Sequence, residues 1–496
     1  MAKHFISILG TSKYDKTMYY FGEGDEKKQY ETAYVQEAIL KLKFDEWNDG
    51  DRITVFVTED SKKNNWDNRE FTDKEKINAV QHGQMLPEIH QGLREILEKD
   101  YKEYMDDIEK CVISIGSNDR EMWDIFQAVY ARIKEEDELY IDITHALRHL
   151  PVLMLSVVTF ARTVKRAAVG GIYYGAYEAK RKNEMGIEET QIFDLIPFLD
   201  ILDWSQAAAS FVKYGSSDQI LDLYQKSNKR LPGKTGELKK VINELQNITL
   251  GLETARGYCR TEGLKEKEEK AKESNGTSVL ESYYSYKGLY KKLQSIDEEQ
   301  GDIRNQQKNM IKPLGELMGV IDEKIRVFDV ESNLDLGLAA VKWAIDHERI
   351  QQGFTALDET ITTFLCVSYK SYGIEEGERS DRVLCKSVSN EIAKYMQNVK
   401  VSKLTDKDRE NICERWKKYY NTKKEEDYAK GCQVIMKVPE ELVKIGKKVS
   451  EQRNSMNHFG YSKGKDPAKT LKRNLEKDYN EFVACKKQME EMKSHG

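Results

Sequence analysis

Residues 1–200 alternate short apolar runs with amphipathic stretches, whereas the rest of the chain has helical periodicity alone. This alternation constrains the fold most, because strands that alternate with helices form βαβ units around a mainly parallel sheet. Five apolar runs are typical of strands, namely His4–Leu9, Arg52–Val57, Cys111–Ile115, Leu139–Ile143 and Ala168–Tyr174. Helices are predicted between them, over Val35–Phe44, Met85–Leu97, Trp123–Ile133 and a long segment that ends near Arg166.

The pattern changes near residue 200, and 496 residues are too many for one hydrophobic core. Residues 204 to about 258 and Val279–Val330 have helical periodicity. The charged stretch Arg260–Ser278 between them is typical of a loop or a solvated helix end. From Leu334 onward only helices are predicted. We therefore predict an α/β plus all-α protein in three parts: a Rossmann-like domain over 1–200, a helical linker or insert over 201–333, and a helical domain over 334–496.

Composition excludes several classes of protein. The net charge of -6 argues against a generally basic nucleic-acid binder, so any nucleic-acid site must be local. The 7 cysteines are dispersed without a C-x-x-C pair, which predicts free thiols and no zinc site. The N-terminus lacks a signal-peptide pattern, and the longest apolar run, Leu150–Phe160, is shorter than the ~20 residues of a membrane span. We expect a cytoplasmic protein without a membrane segment.

Three loops after predicted strands carry glycines, hydroxyls and basic side chains. Their candidate residues are Gly10, Thr11 and Ser12; Gly116, Ser117 and Asn118; and Asp142, Thr144, His145 and Arg148. The carboxyl ends of parallel strands meet at one edge of a sheet, and exposed N–H and hydroxyl groups there suit phosphates. Neither G-x-G-x-x-G nor a P-loop is present, which argues against a standard NAD or NTP enzyme. The alternatives are an ordinary turn at Gly10–Ser12, helix capping by Asp142 and Thr144, and a structural role for His145.

The segments ILGTS and IDITHALRHLP resemble the CRISPR-associated Rossmann-fold (CARF) domain of Csx1/Csm6-type proteins, in the branch with a D-x-T-H-G motif. Asp142, Thr144 and His145 match the motif, whereas Ala146 replaces its glycine, and Tyr173–Ala176 also fits. The resemblance implies a domain that dimerises and binds a cyclic oligoadenylate across the dimer axis. A ring of four adenylates (cA4) is the preferred ligand and six (cA6) the alternative; no other cofactor is expected.

A second constellation, Arg453, Asn454 and His458, follows a predicted helix over Glu440–Ser450. Five residues on a regular helix correspond to about 140° around its axis, so Arg453 and His458 do not share one face. They converge only if the helix ends or distorts between them, or if a second chain completes the site. Histidine moves protons near neutral pH and arginine binds phosphate, which suits RNA cleavage by the 2′-OH without a metal.

Arg453 to His458 resembles the R-x4–6-H motif of HEPN ribonucleases, and Gln351–Leu357 resembles an early helix of that fold. A CARF domain followed by a HEPN domain is the Csx1/Csm6 arrangement. The resemblance implies a cyclic-oligoadenylate-activated endoribonuclease of type III CRISPR antiviral defence, cytoplasmic, and a homodimer or higher homo-oligomer. It would cleave single-stranded RNA to a 2′,3′-cyclic phosphate. His458 would act in acid–base transfer, Arg453 would hold the scissile phosphate, and Asn454 would orient one of them.

Two other functions stay open. One is a non-catalytic CARF regulator that binds nucleic acid when its ligand is present. The other is a ring nuclease that degrades its own activator with Thr11, Ser12 and His145. The interleaved segment Arg415–Tyr420 either contacts RNA or forms the solvated face of an amphipathic helix.

Overall fold

The computed structural model describes the whole chain except residues 23–26, 45, 82–84, 102–106, 146–148, 228–234, 261, 271, 300–304, 421–424, 460–465 and 495–496. The chain divides into two compact units, Met1–Asp200 and Ile201–Gly496. The first unit is a sheet with helices, and every described regular element that lies wholly in the second unit is helical. The predicted fold class, α/β plus all-α, is confirmed.

One mixed sheet organises the first unit. Its strands are β1 (Lys3–Leu9), β2 (Thr17–Phe21), β3 (Lys28–Thr32), β4 (Arg52–Val57), β5 (Asp107–Val112), β6 (Glu138–Asp142), β7 (Ala168–Gly175), β8 (Arg181–Lys182) and β9 (Glu188–Asp194). The order is β3-β2-β9-β7-β6-β1-β4-β5, and β8 pairs with β9. The five strands from β7 to β5 in this order are mutually parallel. Counted along the chain, these five have the order 3-2-1-4-5 of a Rossmann fold, which confirms the predicted architecture.

Helices cover both faces of this sheet. They are α1 (Val35–Lys43), α2 (Glu59–Ser61), α3 (Asp73–Gln81), α4 (Leu93–Tyr101), α5 (Asp119–Arg132) and α6 (Leu150–Val164), with a π-helical turn at Lys62–Trp66. Alternate residues of β1 point to opposite faces. Phe5 packs with α1 and α4, and Ile6 packs with α5 and α6. Burial on both faces explains why the central strands are mostly apolar.

Two of the predicted elements differ from the structure. The helix predicted over Met85–Leu97 is wrong in its first half, because α4 begins only at Leu93. Pro87 disfavours a helix before it, and a side chain at Gly92 would lie 2.3 Å from the Trp66 carbonyl oxygen. The strand predicted over Cys111–Ile115 is displaced, since β5 ends at Val112. The strands β2, β3, β8 and β9 were not predicted.

The described regular elements of the second unit are helices. They are α7 (Ile196–Tyr214), which begins in the first unit, α8 (Asp218–Ser227), α9 (Thr235–Glu253), α10 (Leu264–Lys270), α11 (Val279–Glu299), α12 (Asn305–Ile325), α13 (Asn333–Asp346), α14 (Ile350–Ser368), α15 (Arg379–Val399), α16 (Asp406–Tyr419), α17 (Glu425–Lys437), α18 (Glu440–Asn457) and α19 (Ala468–Ser494). They enclose two hydrophobic cores, and α13 contributes Trp343 to one and Val341 to the other. A division at 333 between two helical domains stays a prediction.

Candidate functional site

The point where the strand order reverses lies between β1 and β6, which are parallel neighbours. Among the five parallel strands, β4 is the next after β1 along the chain and lies on one side of it, whereas β6 lies on the other. In such sheets the crevice beyond the carboxyl ends of the two strands at the reversal is where ligands bind. The loop Gly10–Ser12 follows β1, and the loop with Thr144 and His145 follows β6. A methyl group at Gly10 would lie 3.0 Å from His145 Cβ, so the two loops are in contact.

The side chains of Asp142 and Thr144 link the end of β6 to its two neighbouring strands, β1 and β7, by hydrogen bonds. The Asp142 carboxylate is 1% exposed, and its Oδ2 accepts hydrogen bonds from Ser7 Oγ (2.7 Å) and Gln36 Nε2 (3.2 Å). Its Oδ1 accepts from the Thr144 amide (2.9 Å) and hydroxyl (2.5 Å), and the Thr144 hydroxyl accepts from Gly175 N (2.8 Å). Burial raises the pKa of this carboxyl, against the hydrogen bonds that lower it. These two side chains therefore shape the loop, and neither caps α6, which begins at Leu150.

The Gly10–Ser12 loop is held by a residue that the sequence did not reveal. Asn65, in the π-helical turn, is 1% exposed and donates to the carbonyl oxygens of Gly10 (2.8 Å) and Ser12 (2.9 Å). The Tyr14 hydroxyl accepts from Gly10 N at 2.9 Å. With its backbone fixed in this way, the loop presents the exposed Thr11 and Ser12 at the crevice.

His145 is largely enclosed beside this loop. Its ring packs edge-on against Tyr14 at 4.4 Å between centroids, and its Nε2 has no hydrogen-bond partner among the described residues. Burial lowers the pKa of His145 to about 4. The imidazole is therefore neutral at neutral pH and would contact a ligand as a hydrogen-bonding group without charge.

This lowered pKa predicts a loss of stability in acid. The folded pKa of about 4 lies below the ordinary value of 6.5, so stability falls as the pH drops from about 6.5 toward 4. Between about pH 7.5 and pH 5 we expect His145 to account for a loss of about 2 kcal/mol. Hydrogen exchange of the β1 amides in the wild type and in His145→Gln measures it. An identical pH dependence in the two proteins would contradict it.

The third predicted loop is closed by its own hydrogen bonds. Gly116 has a φ of 73°, which favours glycine. Both the amide and the hydroxyl of Ser117 donate to the Glu121 carboxylate (2.8 and 2.9 Å), and Asn118 caps α5 by accepting from Glu121 N. A methyl group at Gly116 would lie 2.6 Å from His149 Nε2, a buried nitrogen that also lacks a partner among the described residues. Glu121 disfavours an anion at Ser117. Arg148 lies outside the described residues.

In the helical unit, Arg453 is held by a second helix. Its Nη1 donates to Asp358 Oδ2 at 3.0 Å, and Asp358 on α14 is 7% exposed. Lys386 on α15 reaches the same carboxylate oxygen at 3.2 Å. The predicted helix segment Gln351–Leu357 therefore belongs to the helix that packs against α18, and Asp358 directly follows it. Asp358 was not singled out from the sequence, because only the fold brings it to Arg453.

His458 and Asn454 lie at the exposed end of α18. The helix is regular through Asn457, and the His458 amide donates to the Asn454 carbonyl at 3.1 Å. Arg453 and His458 thus keep the angular separation of a regular helix, and the described contacts do not join them. After His458, Phe459 has a φ of 56° and is 83% exposed. One chain places the two side chains on different faces.

Other parts of the described structure bear on the predictions. Trp416 is 2% exposed, so its ring belongs to the helical core and Arg415–Tyr420 does not present an unbroken aromatic surface. Among the described residues we find no group of three His, Cys, Asp or Glu side chains placed to hold a metal ion. None of the described helices has the length and apolar character to cross a membrane.

Comparison with known proteins bears on the first unit. Residues 4–178 match the family model described as CRISPR system endoribonuclease Csx1, CARF domain. CRISPR-associated protein MJ1674 of Methanocaldococcus jannaschii is 26% identical over 264 residues, which cover 52% of this chain and 34% of that protein. The chain thus spans about a third of the length of this curated relative. The first unit is thus similar to the Csx1 CARF domain over residues 4–178, and both comparisons support a CRISPR-linked CARF protein of the Csx1/Csm6 type.

Proposed function

We propose that this protein is a cyclic-oligoadenylate-activated, metal-independent endoribonuclease that cleaves single-stranded RNA in type III CRISPR antiviral defence. The observation that carries the proposal is that a CARF domain is followed by a helical unit with a candidate catalytic pair. In that unit Asp358 binds Arg453 near the end of α18, and His458 is the residue at which α18 ends. HEPN character of the helical unit is part of the proposal, and it rests on the Arg453–His458 spacing and on the packing of α14 against α18.

The activator would bind in the crevice between the loops after β1 and β6. Thr11 and Ser12 offer exposed hydroxyls, and the buried Nε2 atoms of His145 and His149 lack partners among the described residues. Buried polar atoms of this kind are rare in native structures and fit a ligand that completes them. In a homodimer two such crevices would face one ring of phosphates. A ring of four adenylates is the preferred ligand, and six is the alternative.

Cleavage would use the 2′-OH of the RNA as the nucleophile. His458 accepts the 2′-OH proton, the 2′ oxygen attacks the adjacent phosphorus, and the 5′ oxygen leaves and takes up a proton. The products are a 2′,3′-cyclic phosphate and a 5′-OH end. Arg453 stabilises the charge that develops on the phosphate oxygens, and Asn454 orients the histidine or the phosphate.

The separation of Arg453 and His458 around α18 supports a site made by two chains. His458 is exposed at the end of its helix, and Arg453 is anchored by Asp358 on a different face. A two-fold symmetric dimer brings equivalent residues of two copies to one interface. Arg453 of one copy would then act with the histidine of the other, and the CARF ligand would control how these surfaces meet.

Mixing two inactive variants tests this arrangement. Consider a dimer of one Arg453→Ala chain and one His458→Ala chain. If each site takes its arginine from one chain and its histidine from the other, one of the two sites in this dimer keeps both side chains. With random exchange, half of the dimers are mixed, so we expect roughly a quarter of the wild-type cleavage rate with activator present. Each variant alone serves as the control. If the mixture stays as inactive as its components under conditions where the chains exchange, the two-chain site is rejected.

A further inference from the structure

A cavity of about 510 Å³ lies within the helical unit, and the proposed cleavage does not use it. Its wall comes from the end of α9 and the loop after it, from α13 and from α14. Gln352, Thr355, Glu359 and Thr363 line it at intervals of three and four residues, so they form one face of α14. A cavity of this volume suits a ligand the size of a nucleotide.

Several charged groups of the wall are already paired. Arg382 donates to Glu359 Oε2 at 2.6 Å and to the Thr363 hydroxyl at 2.9 Å. Arg349 donates to the Tyr214 carbonyl at 3.2 Å, and it lies 3.7 Å from Glu253. Within each pair the opposite charges neutralise each other, so these side chains have few hydrogen-bonding groups left for a ligand.

Four other polar side chains of the wall have hydrogen-bonding groups without a partner among the described residues. The side chains of Arg256, Tyr258 and Gln352 make no hydrogen bond or ion pair with a described residue. Glu376 uses Oε1 to accept from Asn333 at 3.3 Å, and its Oε2 has no partner in the described part of the chain. Tyr258 is 54% exposed, and its hydroxyl would lie 2.4 Å from a methyl group at Gly377, so it packs against that glycine. An aromatic ring, a guanidinium, an amide and a carboxylate thus remain available around one cavity.

These four groups match the parts of a nucleotide. Nucleobases stack on aromatic rings, and arginine binds phosphate through paired N–H donors. An amide both donates to and accepts from the edge of a base, whereas a carboxylate accepts from an exocyclic amino group. Uracil suits the carboxylate poorly, because carbonyl oxygens flank its only N–H donor.

We propose that this cavity binds one nucleotide whose base has an exocyclic amino group, with the base on Tyr258 and the phosphate at Arg256. The nucleotide is either one residue of the RNA strand or a free mononucleotide, since both present the same base and phosphate. In the first case the inference rests on the proposed function, and it would set the base preference of cleavage, because α14 carries Asp358 beside the cavity face.

Calorimetric titration of the full-length protein tests the site. The ligands are AMP, GMP, CMP, UMP and short 2′-fluoro RNAs of each base, which lack the 2′-OH and so are not cleaved. We expect binding of an amino-bearing base that exceeds binding of the uracil ligand. Tyr258→Ala and Arg256→Ala, both at exposed positions, should each weaken it by roughly 5- to 100-fold. The matched controls Phe198→Ala, at an exposed aromatic residue, and Arg260→Ala, neither of which lines the cavity, should leave it unchanged.

The outcomes separate this inference from the proposed function. Binding of a mononucleotide that Tyr258→Ala weakens supports a free nucleotide, and the same result with RNA alone supports the strand. Absence of binding by every ligand overturns the inference. Binding that neither Tyr258→Ala nor Arg256→Ala changes also overturns it, because the ligand would then bind at another site, such as the CARF crevice. Since no cleavage is needed, a positive result stands even if the protein is not a ribonuclease.

Discussion

Replacement of His458 with alanine is expected to lower the rate of RNA cleavage by about 100- to 10,000-fold, because it removes the proposed proton-transfer group. Arg453→Ala should lower it by about 100-fold or more, because the developing charge on the phosphate loses a cationic partner. Both losses should be seen with saturating activator and a fluorogenic single-stranded RNA. Asp358→Asn should produce a smaller loss, since it weakens the contact that positions Arg453 and leaves both catalytic groups in place.

Three controls make this result specific. Arg379→Ala, at an exposed position of the same unit, should retain wild-type cleavage. Because His458 is exposed, its replacement should leave the thermal midpoint and the binding of activator unchanged. Full activity of His458→Ala in a chelator would remove the histidine from the mechanism.

Replacement of Asp142 with alanine is expected to destabilise the CARF domain by about 3 kcal/mol or more. The substitution leaves buried donors of Ser7, Gln36 and Thr144 without their acceptor, and each unsatisfied buried group costs about 1–3 kcal/mol. Asp142→Asn should also destabilise, by a smaller amount, because its amide group would face donors where the carboxylate offers an oxygen. Chemical denaturation followed by hydrogen exchange of the β1 and β6 amides measures both.

The matched control for Asp142 is Asp124→Ala, since Asp124 is exposed on α5. We expect it to change the free energy of unfolding by no more than about 0.5 kcal/mol. If Asp142→Ala were as stable as this control, the hydrogen bonds to Asp142 would not hold the crevice together.

The parallel centre of the sheet was predictable because strands buried on both faces are mostly apolar, as in Arg52–Val57, where four of six residues are Ile, Val or Phe. The outer strands were not, because β3 is mostly exposed and its sequence, KQYET, is polar. The failed helix start at Met85 has a local cause, Pro87, and a tertiary one, the close approach of Gly92 to the Trp66 carbonyl. Helical periodicity alone does not register such a contact.

The residues of the candidate site that directly follow strands were predictable from the sequence. The residues that contact them from distant positions in the chain were not. Gly10 and His145 could be placed together because parallel strands gather their loops at one edge. Asn65 reaches the Gly10 loop from 55 residues away, and Asp358 reaches Arg453 from 95 residues away. A single sequence carries no sign of such pairs. The sequence offered Asp142, Thr11 and Ser12 alike as ligand-binding candidates. In the structure Asp142 is buried and holds the loop, whereas Thr11 and Ser12 are exposed and accessible to a ligand.

Activator-dependent RNA cleavage tests the central claim most directly. Full-length protein, fluorogenic single-stranded RNA and EDTA are combined with no ligand, with cyclic tetra-adenylate, or with cyclic hexa-adenylate. The proposed function predicts cleavage with one ring, preferably the tetra-adenylate, little cleavage without ligand, and 2′,3′-cyclic phosphate ends on the products. Absence of cleavage with both rings, although the protein binds one of them, would contradict the account.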